Sequence, residues 1–131
     1  MREVEEVLAA NEAFYTAFAT RDVDAMEALW AQQARVACIH PGWHALHGRD
    51  AVLASWRDIL SNPGSPPIRC SDAVAQVLGA TAVVTCTERF PGAELVATNV
   101  FVAEDGAWKL VHHQAGGVAR TSAEDEGEML H

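Results

Sequence analysis

The chain has 131 residues, half of them hydrophobic, and a formal net charge of −9. This length predicts one domain with its own core, and the acidic balance argues against a nucleic-acid partner, because phosphate backbones would be repelled. No apolar run is long enough for a membrane helix, and the acidic first residues do not resemble a signal peptide. We therefore expect a cytoplasmic protein without a membrane partner.

Three helices are predicted in the first half of the chain. Apolar residues recur at helical spacing over residues 3–20, which gives one broad apolar face. Asp22 is a suitable N-cap for a second, short helix over residues 23–30. A short buried strand is predicted over residues 35–40. The third helix is predicted over residues 49–61, with an apolar face of its own.

After Pro67 the apolar pattern changes to a period of two. Strands are predicted over residues 68–78, 81–90, 94–103 and 107–116, separated by short turns rich in glycine. A run of hairpins implies a mostly antiparallel sheet. Three helices followed by such a sheet predict an α+β domain with the helices packed on one face of the sheet.

A loop broken by proline and glycine, which we call the histidine loop, lies between the first predicted strand and the third helix. It carries His40, Trp43, His44 and His47. Histidine exchanges protons near neutral pH, so His40 is a candidate general base, and a tryptophan in such a loop is a candidate cover for a cavity. The three histidines are also close enough in sequence to bind a metal, but only Asp50 adds a carboxylate nearby, and we predict no metal site.

The last predicted strand carries polar residues that an inner sheet face would bury. Strict alternation puts Trp108, Leu110, His112 and Gln114 on one face and His113 on the other. The face that begins with tryptophan and leucine is the more apolar. We therefore expect His112 and Gln114 to point towards the helices and His113 to point outwards.

Two further strands each offer an inner face with a polar residue. Asn99 and Phe101 share a face of the third of these strands. In the second strand, Glu88 shares a face with alanine, valine and cysteine, and this apolar run suggests that the Glu88 face is inside. A buried Glu88 near His112 would couple the protonation states of the two groups.

Four segments are characteristic: residues 14–30, residues 40–56 with Gly-Arg-Asp-Ala-Val at the helix start, residues 97–101, and residues 105–114 with Trp-Lys-Leu-Val-His. Together they resemble the nuclear transport factor 2-like superfamily, and within it the SnoaL-like domains related to the association domain of calcium/calmodulin-dependent kinase. The resemblance identifies residues 1–118 as the domain and leaves residues 119–131 as an acidic C-terminal tail.

The resemblance implies a cone-shaped fold with a strongly curved sheet, a pocket at the open end of the cone, and a homodimer formed through the outer sheet face. That face would include Val111 and His113. In ketosteroid isomerase-like relatives a general-base aspartate stands just before a proline, and the matching residue here is His40. Many relatives of this branch carry a second histidine where this chain has Gln114.

We therefore predict a protein that binds a small apolar molecule and performs acid–base chemistry on it without a cofactor, as an isomerase, cyclase, dehydratase or hydrolase would. The predicted catalytic residues are His40 and His112. The predicted ligand-binding residues are Tyr15, Trp30, Trp43, Trp56, Glu88, Asn99, Phe101 and Gln114. The alternative is a non-catalytic ligand-binding or oligomeric assembly module, because this fold hosts both kinds of protein.

Overall fold

The computed structural model describes residues 2–119. The predicted acidic tail, residues 119–131, therefore lies outside the described residues except for its first residue. No helix within residues 2–119 is long and apolar enough to cross a membrane.

The three helices form close to where the sequence predicts them: α1 at Arg2–Thr20, α2 at Val23–Leu29 and α3 at Arg49–Ser61. The Asp22 side chain accepts a backbone hydrogen bond from the first turn of α2, as expected of an N-cap. Gly48 enters α3 with a φ of +92°, a conformation that a residue with a side chain rarely adopts.

The sheet contains six strands in the spatial order β2-β1-β6-β5-β4-β3. Their bounds are Ala37–Ile39 (β1), Leu46–His47 (β2), Arg69–Leu78 (β3), Thr81–Phe90 (β4), Ala93–Glu104 (β5) and Ala107–Gly117 (β6). The pairing of β1 with β6 is parallel, and the other four neighbouring pairs are antiparallel. Strand β2 is not predicted from the sequence, because its two residues lie within the histidine loop.

Helix α1 packs against β3, β4 and β6, so the curved sheet wraps around it. This arrangement confirms the α+β fold with three helices on the concave face of a mostly antiparallel sheet. We call the two ends of that face the closed end and the open end. The closed end is filled by the fully buried side chains of Met26, Trp30, Phe101 and Leu110. The open end holds the cavity described below.

A β-bulge in β6 corrects the predicted facing of the last strand. Phe101 pairs with Leu110 and Val100 pairs with His112, so Val111 is an extra residue in β6. The extra residue reverses the alternation after Leu110. His113 is therefore buried, with 1% exposure, whereas His112 is only half-buried.

Two predictions on β6 are consequently wrong. His112 and Gln114 do not point towards the helices, and Gln114 is exposed. His113 does not belong to the outer face, where the predicted dimer interface would have included it. By contrast, the inward facing of Glu88, Asn99 and Phe101 is confirmed, because all three are at most 1% exposed.

Candidate functional site

A cavity of about 210 Å³ lies at the open end, between α1, α3, the histidine loop and the inner sheet face. Its wall is mainly aromatic and aliphatic, with three titratable side chains. The lining residues are Phe18, His40, Pro41, Trp43, Trp56, Ile59, Glu88, Phe90, Leu95 and His113. Trp43 is 47% exposed and marks the mouth. The cavity is smaller than the roughly 300–1,000 Å³ typical of pockets for drug-sized ligands, so it suits a smaller molecule.

Two larger cavities, of about 570 and 340 Å³, lie elsewhere on the described part of the chain. One is lined mainly by residues 32–37 and 47–49, and the other by residues 67–69 and 89–91. None of the titratable side chains lining them is buried. We place the functional site at the open-end cavity because buried titratable groups in an apolar pocket are characteristic of functional sites.

His40 lies on the cavity wall with one ring nitrogen held by α3. Its Nε2 is 2.8 Å from the Ser55 hydroxyl oxygen, and that hydroxyl donates its own hydrogen to the Val52 carbonyl. Nε2 therefore carries the hydrogen and donates it to Ser55, which leaves Nδ1 unprotonated. Burial lowers the pKa of His40 to about 4, so the imidazole is neutral at pH 7 and can accept a proton.

His113 is held from the opposite side, by β5. Its Nδ1 is 2.6 Å from Asn99 Oδ1, while the Asn99 amide nitrogen donates to Asn11 Oδ1 and to the Tyr15 hydroxyl. Asn99 Oδ1 can only accept, so His113 Nδ1 donates and Nε2 has the free lone pair. Burial, followed by the proximity of His40 and His112, lowers the pKa of His113 to about 3.

Glu88 stands beside His113 and completes the polar part of the wall. The Tyr15 hydroxyl donates to Glu88 Oε2 at 2.6 Å, and the same oxygen lies 3.8 Å from His113 Nε2. Burial raises the pKa of Glu88, and the hydrogen bond from Tyr15 opposes that rise only in part. Burial and the nearby Glu88 also raise the pKa of Tyr15, so the phenol remains a donor.

The rings of His40 and His113 lie 6.4 Å apart, measured between centroids. Trp56 contacts both rings, and Trp43 meets His40 edge to face at 4.7 Å. A small ligand in the cavity would therefore meet a proton acceptor on one side and a histidine–carboxyl pair on the other, with aromatic rings excluding water.

The structure brings together only part of the predicted site. His40, Trp43, Trp56 and Glu88 line the cavity. Tyr15 and Asn99 lie behind the wall and act on it through hydrogen bonds.

The remaining predicted residues lie elsewhere. Trp30 and Phe101 are fully buried at the closed end and do not line the cavity. His112 and Gln114 lie on the outer side of β6, for the reason given above. His44 and His47 are exposed, and within residues 2–119 no three His, Cys, Asp or Glu side chains are placed to share a metal ion.

Two residues of the site are not predicted from the sequence: His113 as a site residue and Ser55 as the partner of His40. His113 was misplaced because the bulge is not visible in the sequence. Ser55 could have been found, because a serine beside the apolar face of α3 needs a partner when it is buried. Phe18, Phe90 and Leu95 look like ordinary core residues in their elements, and only the tertiary fold shows that they line a cavity.

Residues 7–119 match the family of SnoaL-like domains. The chain belongs to this family. The match covers every element of the described fold except the first residues of α1. Together with the similar structure from the nuclear transport factor 2-like family given next, it confirms the superfamily inferred from the sequence motifs.

Two solved structures are similar in both sequence and fold. A "putative dehydratase" of the nuclear transport factor 2-like family from Streptomyces avermitilis is 37% identical, with a TM-score of 0.83 over 91% of this chain and 98% of that one. A "putative calcium/calmodulin-dependent protein kinase type II association domain" from Thiobacillus denitrificans is 34% identical, with a TM-score of 0.75 over 85% of this chain and 94% of that one.

More distant similarity shows the fold alone. A cystatin-like protein from Caulobacter vibrioides has a TM-score of 0.79 at 16% identity, covering 93% of this chain and 94% of that one. Among curated proteins, the F-box protein SKIP8 of Arabidopsis thaliana is 27% identical over 111 residues, which are 83% of this chain and 48% of that protein. The chain thus spans about half the length of the curated relative that it matches.

Proposed function

We propose that this SnoaL-like protein binds a small, uncharged, largely apolar molecule in the open-end cavity and performs acid–base chemistry on it without a cofactor. The observation that carries the proposal is the placement of His40, His113 and Glu88 around one apolar cavity, with the two imidazole rings 6.4 Å apart. The "putative dehydratase" relative, at 37% identity, supports chemistry of this class.

The roles follow from the hydrogen bonds. His40 Nδ1 is unprotonated and has only a long contact with Cys38 Sγ, at 3.9 Å, and it accepts a proton from a carbon next to a carbonyl group. Glu88 and His113 face the other side of the ligand and supply or hold a proton there. No Lys or Arg side chain lines the cavity, so a charged carboxylate or phosphate group on the ligand would lack a counter-ion.

Proton abstraction can be tested before the natural reaction is known. We expect cyclohexanone, incubated with the protein in D₂O, to exchange its α-hydrogens faster than in buffer, as followed by proton NMR. His40→Gln should reduce the catalysed rate by about 100-fold, a typical effect of losing a general base. His112→Gln, on the outer face of β6, is the matched control and should leave the rate unchanged. Equal rates in His40→Gln and the wild-type protein would exclude His40 as the base.

The second candidate is a non-catalytic assembly module. It is favoured by the relative named as an association domain, at 34% identity, and by exposed apolar residues on the outer sheet face, among them Val74, Leu78 and Val96. We propose that this face forms a homodimer in either case. Sedimentation velocity should then show a dimer that Val96→Glu shifts towards monomer, and a wild-type monomer at all concentrations would refute the interface.

A further inference from the structure

The polar corner of the cavity, formed by His113 and Glu88, contains two atoms that do not hydrogen-bond to each other. His113 Nε2 and Glu88 Oε2 are 3.8 Å apart, beyond the length of a good hydrogen bond. Both side chains are only 2% exposed, and both line the cavity. Two facing polar atoms in an apolar pocket at this distance leave room for one additional oxygen atom that could hydrogen-bond to both.

Asn99 determines which kind of hydrogen bond His113 can offer. The side chain of Asn99 uses its amide hydrogens on Asn11 and Tyr15, so its oxygen is left to accept from His113 Nδ1. In the neutral ring Nε2 is then an acceptor, and in the protonated ring it is a donor. Nδ1 remains a donor in both states.

One proton shared by His113 and Glu88 always leaves one hydrogen-bond donor and one acceptor facing the cavity, whichever group holds it. If the carboxyl group holds it, Glu88 is the donor and His113 Nε2 the acceptor. If the imidazole holds it, Nε2 is the donor and the carboxylate the acceptor. A bare carboxylate with no proton on either group is disfavoured, because it would be a buried charge without a counter-ion.

We propose that this corner is a hydroxyl-binding site: the natural ligand is an uncharged alcohol whose hydroxyl group bridges Glu88 and His113. A hydroxyl group donates and accepts at once, so it matches either placement of the proton. A carbonyl group can only accept, so it would leave one of the two buried polar atoms unpaired. An ammonium group can only donate, so it would require the loss of the shared proton and the burial of a charged pair.

The inference rests on the proposed function, because it assumes that the cavity binds a ligand, and it adds the chemical group that is recognised. The hydroxyl group and the reacting carbon are separate parts of that ligand. With the hydroxyl at Glu88 and His113, the far side of a ring-sized molecule lies next to His40, where a C–H bond can be deprotonated.

Four probes of nearly equal size separate these possibilities: benzyl alcohol, toluene, benzaldehyde and benzylammonium. Dissociation constants would be measured by NMR titration of the wild-type protein. We expect benzyl alcohol to bind about tenfold more tightly than toluene or benzaldehyde, the effect of about one satisfied buried hydrogen bond. Benzylammonium should bind most weakly.

Variants assign the preference to the proposed atoms. His113→Phe keeps a ring in place but removes the nitrogen, so benzyl alcohol and toluene should bind equally well. Glu88→Gln keeps one donor and one acceptor and should retain most of the preference for benzyl alcohol over toluene. It therefore tests the site even if His113→Phe fails to fold. His112→Gln should behave as the wild-type protein.

The outcomes separate this inference from the proposed function. Equal binding of toluene and benzyl alcohol to the wild-type protein would overturn the hydroxyl site but leave the apolar cavity as a binding site. Tighter binding of benzaldehyde or benzylammonium would also overturn it. Binding of none of the four probes would refute ligand binding itself.

Discussion

Two buried carboxyl groups, at opposite ends of the paired strands β4 and β5, experience opposite conditions. Glu104, where β5 leaves the closed end, accepts backbone hydrogen bonds from Gln32, Gln33 and Ala34. These bonds lower its pKa. Glu88, at the open end, receives one hydrogen bond, from Tyr15, and burial raises its pKa.

The difference separates a structural carboxylate from one available for chemistry. Glu104 is saturated by backbone donors and fastens the segment between α2 and β1 to the sheet. Glu88 lies in an apolar cavity and keeps acceptor lone pairs to which no protein group donates a hydrogen bond. A protein interior normally satisfies its buried polar groups, so the incomplete pairing of Glu88 points to a function at the open end.

The largest effect should come from the closed end. Phe101 is fully buried there, so we expect Phe101→Ala to lower the free energy of unfolding by about 3–5 kcal/mol. Trp43→Ala at the mouth of the open end should cost about 1 kcal/mol, mainly through its edge-to-face contact with His40. Urea unfolding of both variants measures the difference. Similar losses would mean that the closed end is not the better packed of the two.

The next largest effect should come from the amide behind the cavity. Asn99→Leu preserves approximate volume but leaves His113, Tyr15 and Asn11 without their partner, so we expect a loss of about 2–4 kcal/mol in the free energy of unfolding. Thr98→Val, one residue away on the outer face, is the control and should change it by less than about 0.5 kcal/mol. A neutral or stabilising Asn99→Leu would show that the network does not support the fold.

These residues also show how much of the site could be predicted from the sequence. Alternation groups Glu88 with the apolar run of β4, which suggests that this face is inside, and groups Asn99 with Phe101 on one face of β5. Both groupings are correct because β4 and β5 are regular at these positions. It failed in β6, where Val111 is an ordinary strand residue by composition and nothing marks it as the bulge. The error moved the functional histidine from His113 to His112.

The tryptophans illustrate a second limit. Trp30 and Trp56 are both almost completely buried and both follow helical apolar patterns. Only Trp56 lines the cavity, because α3 passes the open end whereas α2 ends at the closed end. Burial follows from local periodicity, but the boundary between core and cavity depends on how distant elements pack. For the same reason the two-residue strand β2 could not be predicted.

The dependence of stability on pH should differ in sign between the two partners of the open-end pair. The pKa of His113 is about 3 in the folded protein and 6.5 in the unfolded chain. Its contribution to the free energy of unfolding is therefore fully present above pH 6.5 and is lost as the pH falls. Between pH 6.5 and 5.5 this loss is about 1 kcal/mol, and His113→Gln should remove it.

Glu88 has a raised pKa, so its contribution is complete at low pH and is lost as the pH rises through the folded value. Glu88→Gln should therefore make the slope of stability against pH steeper, whereas His113→Gln makes it shallower. Urea unfolding at several pH values measures both, with Val84→Ala as a variant that lowers stability without altering the slope. A steeper slope in His113→Gln would mean that His113 is charged in the folded protein.

The smallest effect should arise at Glu104, whose hydrogen bonds fasten a segment without forming part of the core. A glutamine at this position replaces one acceptor oxygen with a donor that would face a backbone N–H, so Glu104→Gln should lower the melting temperature at pH 7. Because the pKa of Glu104 is lowered, its contribution is present above its unfolded value of 4.5 and is lost as the pH falls through the folded value. The melting temperatures of the variant and the wild-type protein should consequently converge well below pH 4.5.

Asp105→Asn, an exposed neighbour, should show no comparable convergence. A difference between Glu104→Gln and wild type that persists in acid would assign the role of Glu104 to packing, and the contrast between the two carboxyl groups would then rest on Glu88 alone.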